Sequence, residues 1–245
     1  MELYDPIIRG TETLLGVSAP RVYPYDPADA WEDTGAFELV MLRDAAYELG
    51  GSGKSAVNFT CVTTSSALVP RDEIEVCGPD LDQLTGDSHY ARIALLRVGD
   101  IESDDEDDTE QAFRAIQDMD FVKYHVFPKG FMMRTSSESS REQVRISRDA
   151  LRRGMSFRSV GADFIRRYKQ NRSILAVKLL FITAPDADYA AMARDAKTVK
   201  DITLSLTRIM EGMPTDCGSC NLKAICDEVE GMRELHFGKE HHPTE

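Results

Sequence analysis

The sequence predicts an α+β or irregular α/β fold, a mixed β-sheet covered by helices, and three observations predict it. Runs rich in β-branched and aromatic residues lie between turn residues. Segments with apolar residues at helical spacing fall among those runs, neither alternating with them strictly nor gathering in one block. One stretch, residues 174–183 (ILAVKLLFIT), is apolar enough to be a central strand. No internal repeat is visible.

Taken in order, Asp5 and Pro6 followed by Ile7, Ile8, Leu14 and Leu15 read as a short amphipathic helix with an acidic start. Residues 18–33, interrupted by Pro20, Pro24 and Pro27, read as an irregular crossing segment pinned by Tyr23, Tyr25 and the single tryptophan, Trp31. Residues 36–43 (AFELVMLR), 57–64 (VNFTCVTT), 73–78 (EIEVCG) and 92–99 (RIALLRVG) predict strands, whereas AAYEL, ending at Leu49, reads as helical. Residues 110–119 (EQAFRAIQDM) look helical, and 121–127 (FVKYHVF) and 143–147 (QVRIS) look like strands. Phe157, Val160, Phe164, Ile165 and Tyr168 recur at helical spacing. A long polar helix follows over 186–210, with Tyr189, Met192, Ala196, Val199, Ile202, Leu206 and Ile209 on one stripe and a break at 212–214.

The 245 residues, 42% hydrophobic, are enough for a sizeable core. Twenty-nine Lys and Arg against 42 Asp and Glu give a formal net charge of −13, which disfavours nucleic acid as a partner. No run approaches the roughly 20 apolar residues of a membrane helix. The opening MELYDPIIRG has neither a basic n-region nor a small-residue cleavage site, so a cytoplasmic protein without a membrane partner is the expectation. No Ser–His–Asp pattern or paired carboxylates appear in a recognisable context, which leaves hydrolase chemistry unsupported.

The charge is unevenly distributed. Residues 100–110 (DIESDDEDDTE) are almost wholly acidic and read as a solvated loop. Residues 134–178 carry twelve basic side chains against four acidic ones, a local +8 that leaves −21 elsewhere. Such an arginine-rich stretch binds phosphate or carboxylate bidentately, or pairs within the molecule with the acidic loop; both readings stand. A compact polyphosphate such as CoA, or an acidic partner surface, fits it better than a long polyanion. Arg145, Arg152, Arg153, Arg166 and Arg167 are the candidate cofactor-binding residues.

Gly53, Lys54 and Ser55 match the end of a phosphate-binding glycine loop, but Glu48 stands where the pattern needs glycine. The segment reads as a turn, and a nucleotide-using enzyme is the weakest reading.

Five cysteines without a signal peptide argue against a disulfide framework. Cys61 and Cys77 sit in β-rich runs and read as buried small hydrophobes. Cys217, Cys220 and Cys226 form a C-x2-C-x5-C array after a proline-containing break, a spacing that gathers thiolates on one metal. His236 is the nearest candidate for the fourth ligand, with His241, His242, Cys61 and Cys77 ranked below it. Iron–sulfur and zinc both accept this donor set.

Together these residues resemble the acetyl-CoA synthase (β) subunit of the carbon monoxide dehydrogenase/acetyl-CoA synthase complex. AFELV from Ala36, IEVCGPDLD from Ile74, VRIS from Val144 and ALRRGMSFRSVGADFIRRYKQ from Ala150 are similar to the middle domain of that subunit, over residues 36–190. The resemblance resumes at the cysteines. The family's series, C-x2-C-x8-C-x9-C, holds the 4Fe–4S part of the active-site cluster; Cys217, Cys220 and Cys226 match its first three members with a shorter middle gap, and the fourth falls on His236. A Cys-to-His exchange keeps a ligand and alters charge and potential. The family's downstream Cys-Gly-Cys segment, which carries nickel, and its large N-terminal domain have no counterpart here. The resemblance also implies that arginines, and a tryptophan after a Gly-Phe pair, contact CoA; in this chain Met132 follows Gly130 and Phe131.

The expected organisation is therefore an N-terminal helix and crossing segment (1–35), a middle-domain-like α+β domain (36–213), a Cys-rich metal-binding segment (214–238) and a polar tail (239–245). The resemblance implies a metalloprotein of one-carbon, CO and acetyl-CoA metabolism. It would carry an iron–sulfur centre, dock a corrinoid protein, CoA or acyl-CoA compound or another one-carbon enzyme, and lack the nickel site needed for complete acetyl-CoA synthesis. The alternative is a zinc-stabilised interaction or scaffold module without catalysis.

Overall fold

A strand that is apolar along nearly its whole length must be covered on both faces, and residues 174–182 meet that condition. A computed structural model describes residues 3–99, 119, 121–136 and 138–210. The elements run α1 (Asp5–Thr11), β1 (Arg21–Pro24), β2 (Ala45–Leu49), β3 (Ala56–Thr63), β4 (Glu73–Cys77), β5 (Tyr90–Val98), β6 (Phe131–Ser136), β7 (Arg141–Ser147), α2 (Arg148–Arg152), α3 (Phe157–Tyr168), β8 (Ile174–Ile182) and α4 (Tyr189–Met210). The acidic run, nearly all of the helix expected over 110–119, and the whole Cys-rich segment with His236 lie outside the described residues.

β8, the most continuously apolar run, is the middle strand of a five-stranded mixed sheet ordered β1-β4-β8-β5-β3. It pairs parallel with β4 and antiparallel with β5, and β3 joins β5 in parallel. On one face Ile74, Leu179 and Phe181 meet α3, whose Phe157 and Phe164 rings pack on Phe181. On the other face lie α1 and α4: Thr63 donates to Asp5 at 2.7 Å, and Tyr189 donates to the Ala184 carbonyl at 2.9 Å. A second sheet, β2-β7-β6, packs beside α3 on the first face. The result is the α+β architecture that the mixed pattern predicts.

α3 starts where Ser156 and Ser159 exchange side-chain and backbone hydrogen bonds, satisfying donors that a helix start leaves open. Its predicted stripe, Phe157, Val160, Phe164, Ile165 and Tyr168, is fully buried. On α4 the stripe from Tyr189 through Ile202 is buried as well. Cys61 and Cys77 are buried in the large sheet, and burial raises both thiols, Cys77 to about 12. They pack as small apolar side chains. Gly78 turns the end of β4 with φ 101°, and a Cβ there would lie 2.3 Å from the Ala184 amide nitrogen, so only glycine lets the two strand ends meet.

Three expectations are corrected. AAYEL is not helical but forms β2, with Ala45, Tyr47 and Leu49 in the core; pairing with β7 outweighs its helix-forming composition. Residues 36–43 form no strand: Phe37, Leu39, Met41 and Leu42 are exposed, and only Val40 turns inward, against Met132. Residues 121–127 are not a strand but contain the 3-10 turn Val122–Tyr124. The neighbouring strand β6 carries the sheet instead.

The two sheets are joined by a buried charge pair. Arg92 of β5 grips Glu142 of β7 bidentately, Nε to Oε1 at 2.8 Å and Nη2 to Oε2 at 2.6 Å, with both side chains out of contact with water. Asn58 of β3, Tyr90 of β5 and Thr135 of β6 donate to the same carboxylate at 2.6, 3.3 and 3.1 Å. The Phe164 ring lies 4.2 Å from the guanidinium carbon of Arg92. Burial works against the Arg92 charge, and Glu142 more than offsets it, holding the group above its ordinary value.

The crossing segment is pinned to α3. The Trp31 N–H donates to the Ser159 carbonyl, and Arg158 binds Asp29 at 2.6 Å. Asp163 lies beneath this contact with no exposed side chain and pairs with Arg166 at 2.7 Å. Burial raises its carboxyl to about 7, an effect that Arg166 partly offsets.

Two outcomes follow from these buried charges. Glu142→Gln or Arg92→Met alone strands its partner and costs about 3–5 kcal/mol, whereas Arg92→Met/Glu142→Gln together leaves no unpaired charge and keeps an acceptor for Asn58, Tyr90 and Thr135, so it recovers part of the loss; urea midpoints of the two singles and the double check this. For Asp163 the fold favours the protonated form, so its contribution is complete below the ordinary aspartate value of about 3.9 and is lost as pH rises through about 7. Asp163→Asn therefore gains roughly 1–3 kcal/mol over the parent at pH 8 and nothing at pH 4, read from paired denaturation curves.

Candidate functional site

The end of the crossing segment lies against the chain that leads into β6. Trp31 Nε1 donates to the Lys129 carbonyl at 3.0 Å, the Lys129 N–H to the Glu32 carbonyl at 2.8 Å, and the Thr34 N–H to the Phe127 carbonyl at 3.0 Å. The Glu38 carboxylate accepts the Gly130 N–H at 3.0 Å. Gly130 has φ 84°, and a Cβ there would reach within 2.5 Å of Ser147 Oγ, so α2 starts directly behind it. Between the two strips opens a cleft of about 320 Å³, lined by Phe37, Glu38, Phe127, Phe131, Met132 and Met133 among others.

A cationic ledge adjoins the Gly130 end of this cleft. Arg153 at the end of α2 stacks over the Trp31 ring at 5.0 Å and binds Asp149 at 3.1 Å and Glu32 at 3.4 Å. Lys129 binds Glu32 from the other side at 3.1 Å. Hydrogen bonding from Lys129, reinforced by Arg153, holds the Glu32 carboxyl below the usual carboxylate range. Arg152 is 77% exposed and touches only Asp149 at 3.3 Å among the described residues, which leaves its fork available to an incoming anion.

The five candidate arginines do not form one cluster. Arg145 is opposite Met132 on the outward face of the small sheet, bound to Glu48 at 2.6 Å and to the Val40 carbonyl at 2.8 Å, with 12% of its side chain exposed. Arg152 and Arg153 form the ledge. Arg166 and Arg167 sit at the far end of α3, three turns from its start, where Arg166 holds Asp163 and Arg167 contacts Gln170. Among the described residues, Asp29, Glu32, Glu48, Asp72, Glu75, Asp149 and Asp163 pair with this basic stretch; the acidic run lies outside them.

The Gly50–Gly53 turn joins β2 to β3, and its Glu48 is committed to Arg145. No helix follows the loop, so no helix N-terminus faces a phosphate there. Among the described residues no group of three or more His, Cys, Asp or Glu side chains is placed to hold a metal ion, and the candidate ligands Cys217, Cys220, Cys226 and His236 lie outside them. No described helix is long and apolar enough to cross a membrane.

Sequence reasoning did not find the cleft or the Arg92–Glu142 clasp. The cleft is assembled from two segments some ninety residues apart, and no periodicity local to either marks it. Glu142 lies in the most basic stretch of the chain, where charge counting says nothing of depth.

No curated protein is similar enough to the chain to count as a relative. A family model described as the CO dehydrogenase/acetyl-CoA synthase complex beta subunit matches residues 34–187. That span is well over half of the chain and runs from the crossing segment through β8 to the start of α4.

Proposed function

Because the chain belongs to the CO dehydrogenase/acetyl-CoA synthase complex beta subunit family, we propose that it is an iron–sulfur protein of acetyl-CoA-synthase-like one-carbon metabolism that docks a CoA compound or a corrinoid or other one-carbon partner. The observation that carries this reading is the family match over the α+β domain, followed in the same chain by three cysteines at a ligand spacing. Cys217, Cys220 and Cys226 with His236 supply three thiolates and an imidazole, a donor set suited to a 4Fe–4S cluster. Such a cluster would supply one-electron chemistry. The 245 residues contain no Cys-Gly-Cys run, so the nickel-dependent joining of methyl and CO is not assigned to them.

Docking is assigned to the ledge. Arg152 is open to solvent and Arg153 is oriented by Trp31, an arrangement suited to a phosphate or carboxylate approaching across the Gly130 end of the cleft. Met132, which follows Gly130 and Phe131, offers a thioether where the resembling subunit has an aromatic ring, so contact with the ligand there is apolar without stacking.

Anaerobically purified protein is expected to contain about four iron atoms per chain and to be brown, with an EPR signal on reduction that is lost in Cys217→Ala. Colourless protein with stoichiometric zinc would replace this reading with a zinc-stabilised interaction module. CoA binding is expected to be salt-sensitive and to weaken about tenfold or more in Arg152→Gln/Arg153→Gln, while Arg166→Gln/Arg167→Gln has a smaller effect. Unchanged affinity in the first double variant, measured by calorimetry, would leave the ledge as internal pairing only.

A further inference from the structure

Among the described residues, the order β2-β7-β6 gives β6 one strand neighbour. The Ser147 N–H donates to the Gly130 carbonyl at 2.9 Å, which fixes Gly130/Ser147, Met132/Arg145 and Arg134/Gln143 as the hydrogen-bonded pairs of the ladder. The backbone N–H and C=O groups of Met133 and Thr135 therefore point away from β7. Both residues line the cleft, and neither backbone is paired with a described residue. A free strand edge facing a cleft is a template for another strand.

The surroundings state what that strand should carry. Phe37, across from β6, and Phe127, on the chain leading into it, make the cleft lining apolar, and beyond Phe37 the loop exposes Leu39, Met41 and Leu42 as an apolar rim. On the outward face of the hairpin Arg134 and Arg141 are diagonal neighbours, both exposed and neither in an ion pair with a described residue. Glu38, the acidic group in the cleft wall, is occupied by the Gly130 N–H. The edge is thus polar along its backbone, apolar on its wall and cationic on its face.

We propose that β6 takes an extended segment of a partner protein as an added strand, with apolar side chains alternating into the cleft and carboxylates alternating onto Arg134 and Arg141. Main-chain pairing with Met133 and Thr135 supplies affinity, and the alternation supplies selectivity. This goes beyond the metal and CoA reading and stands on the hairpin alone, so colourless protein that still binds such a segment would separate the two.

The probe is a dye-labelled, acetylated hexapeptide alternating leucine and aspartate, followed by fluorescence anisotropy on the full chain. Saturable binding is expected, weakening about tenfold or more in Arg134→Glu/Arg141→Glu, whose exposed positions leave the urea midpoint in place. A peptide of the same sequence, N-methylated at alternate amides, loses the pairing and binds about tenfold or more weaker. Equal binding of the methylated peptide, unchanged affinity in the double variant, or no binding of the parent peptide would overturn the proposal. A concentration-dependent dimer of the chain that disappears in the double variant would overturn it too, by giving the edge to a second copy.

Discussion

The Arg92–Glu142 clasp is the contact on which the arrangement of the two sheets depends. Each side chain is charged, fully buried and satisfied almost entirely by the other sheet or by α3. Packing alone could place a three-stranded sheet on a larger one in several registers, because apolar contacts are non-directional. A bidentate pair with three further donors on one carboxylate admits one register only. Its value here is better described as specificity than as stability, since a buried pair of this kind recovers little more than its desolvation.

That register has consequences at the surface. Glu142 is opposite Thr135, so fixing β7 also fixes β6, and with it the direction in which Met132, Met133 and Arg134 point. β7 continues into α2, whose Ser147 cap sits behind Gly130 and whose far end presents Arg152 and Arg153. The crossing segment then closes the cleft from the opposite side through Trp31, Thr34 and Glu38. One buried interaction thus sets the geometry of the cleft, the ledge and the free strand edge. The family match begins at residue 34 and so includes the segment that forms the cleft's second wall.

Much of the fold was legible in the sequence, for a physical reason. β3, β4, β5 and β8 are buried on both faces and read as runs rich in β-branched and apolar residues, with the buried Glu75 of β4 paired to Lys178 of β8, and α3 and the first part of α4 carry unbroken helical stripes. Legibility failed in the small sheet and around the cleft. AAYEL has the composition of a helix and becomes a strand because β7 pairs with it; AFELVMLR has the composition of a strand and remains a loop because nothing described pairs with it. Its exposed apolar side chains are what made it look structured, and they belong to a surface. The arginines were legible as a charge excess, but only the fold shows that Arg145 is committed to Glu48 while Arg152 is left open. The cysteine array is legible from spacing alone, and its reading rests on that spacing.

If the clasp unites the sheets, they should open as one cooperative unit. Native-state hydrogen exchange on β5 and β7 tests this most directly. The amides of β7 should be as strongly protected as those of β5 in the parent chain, and both sets should lose protection by the same free energy when Glu142 is replaced by Gln. Fast exchange of β7 through a separate, low-energy opening, with β5 still protected, would contradict the claim that one buried pair holds the two sheets and the cleft between β6 and the crossing segment in register.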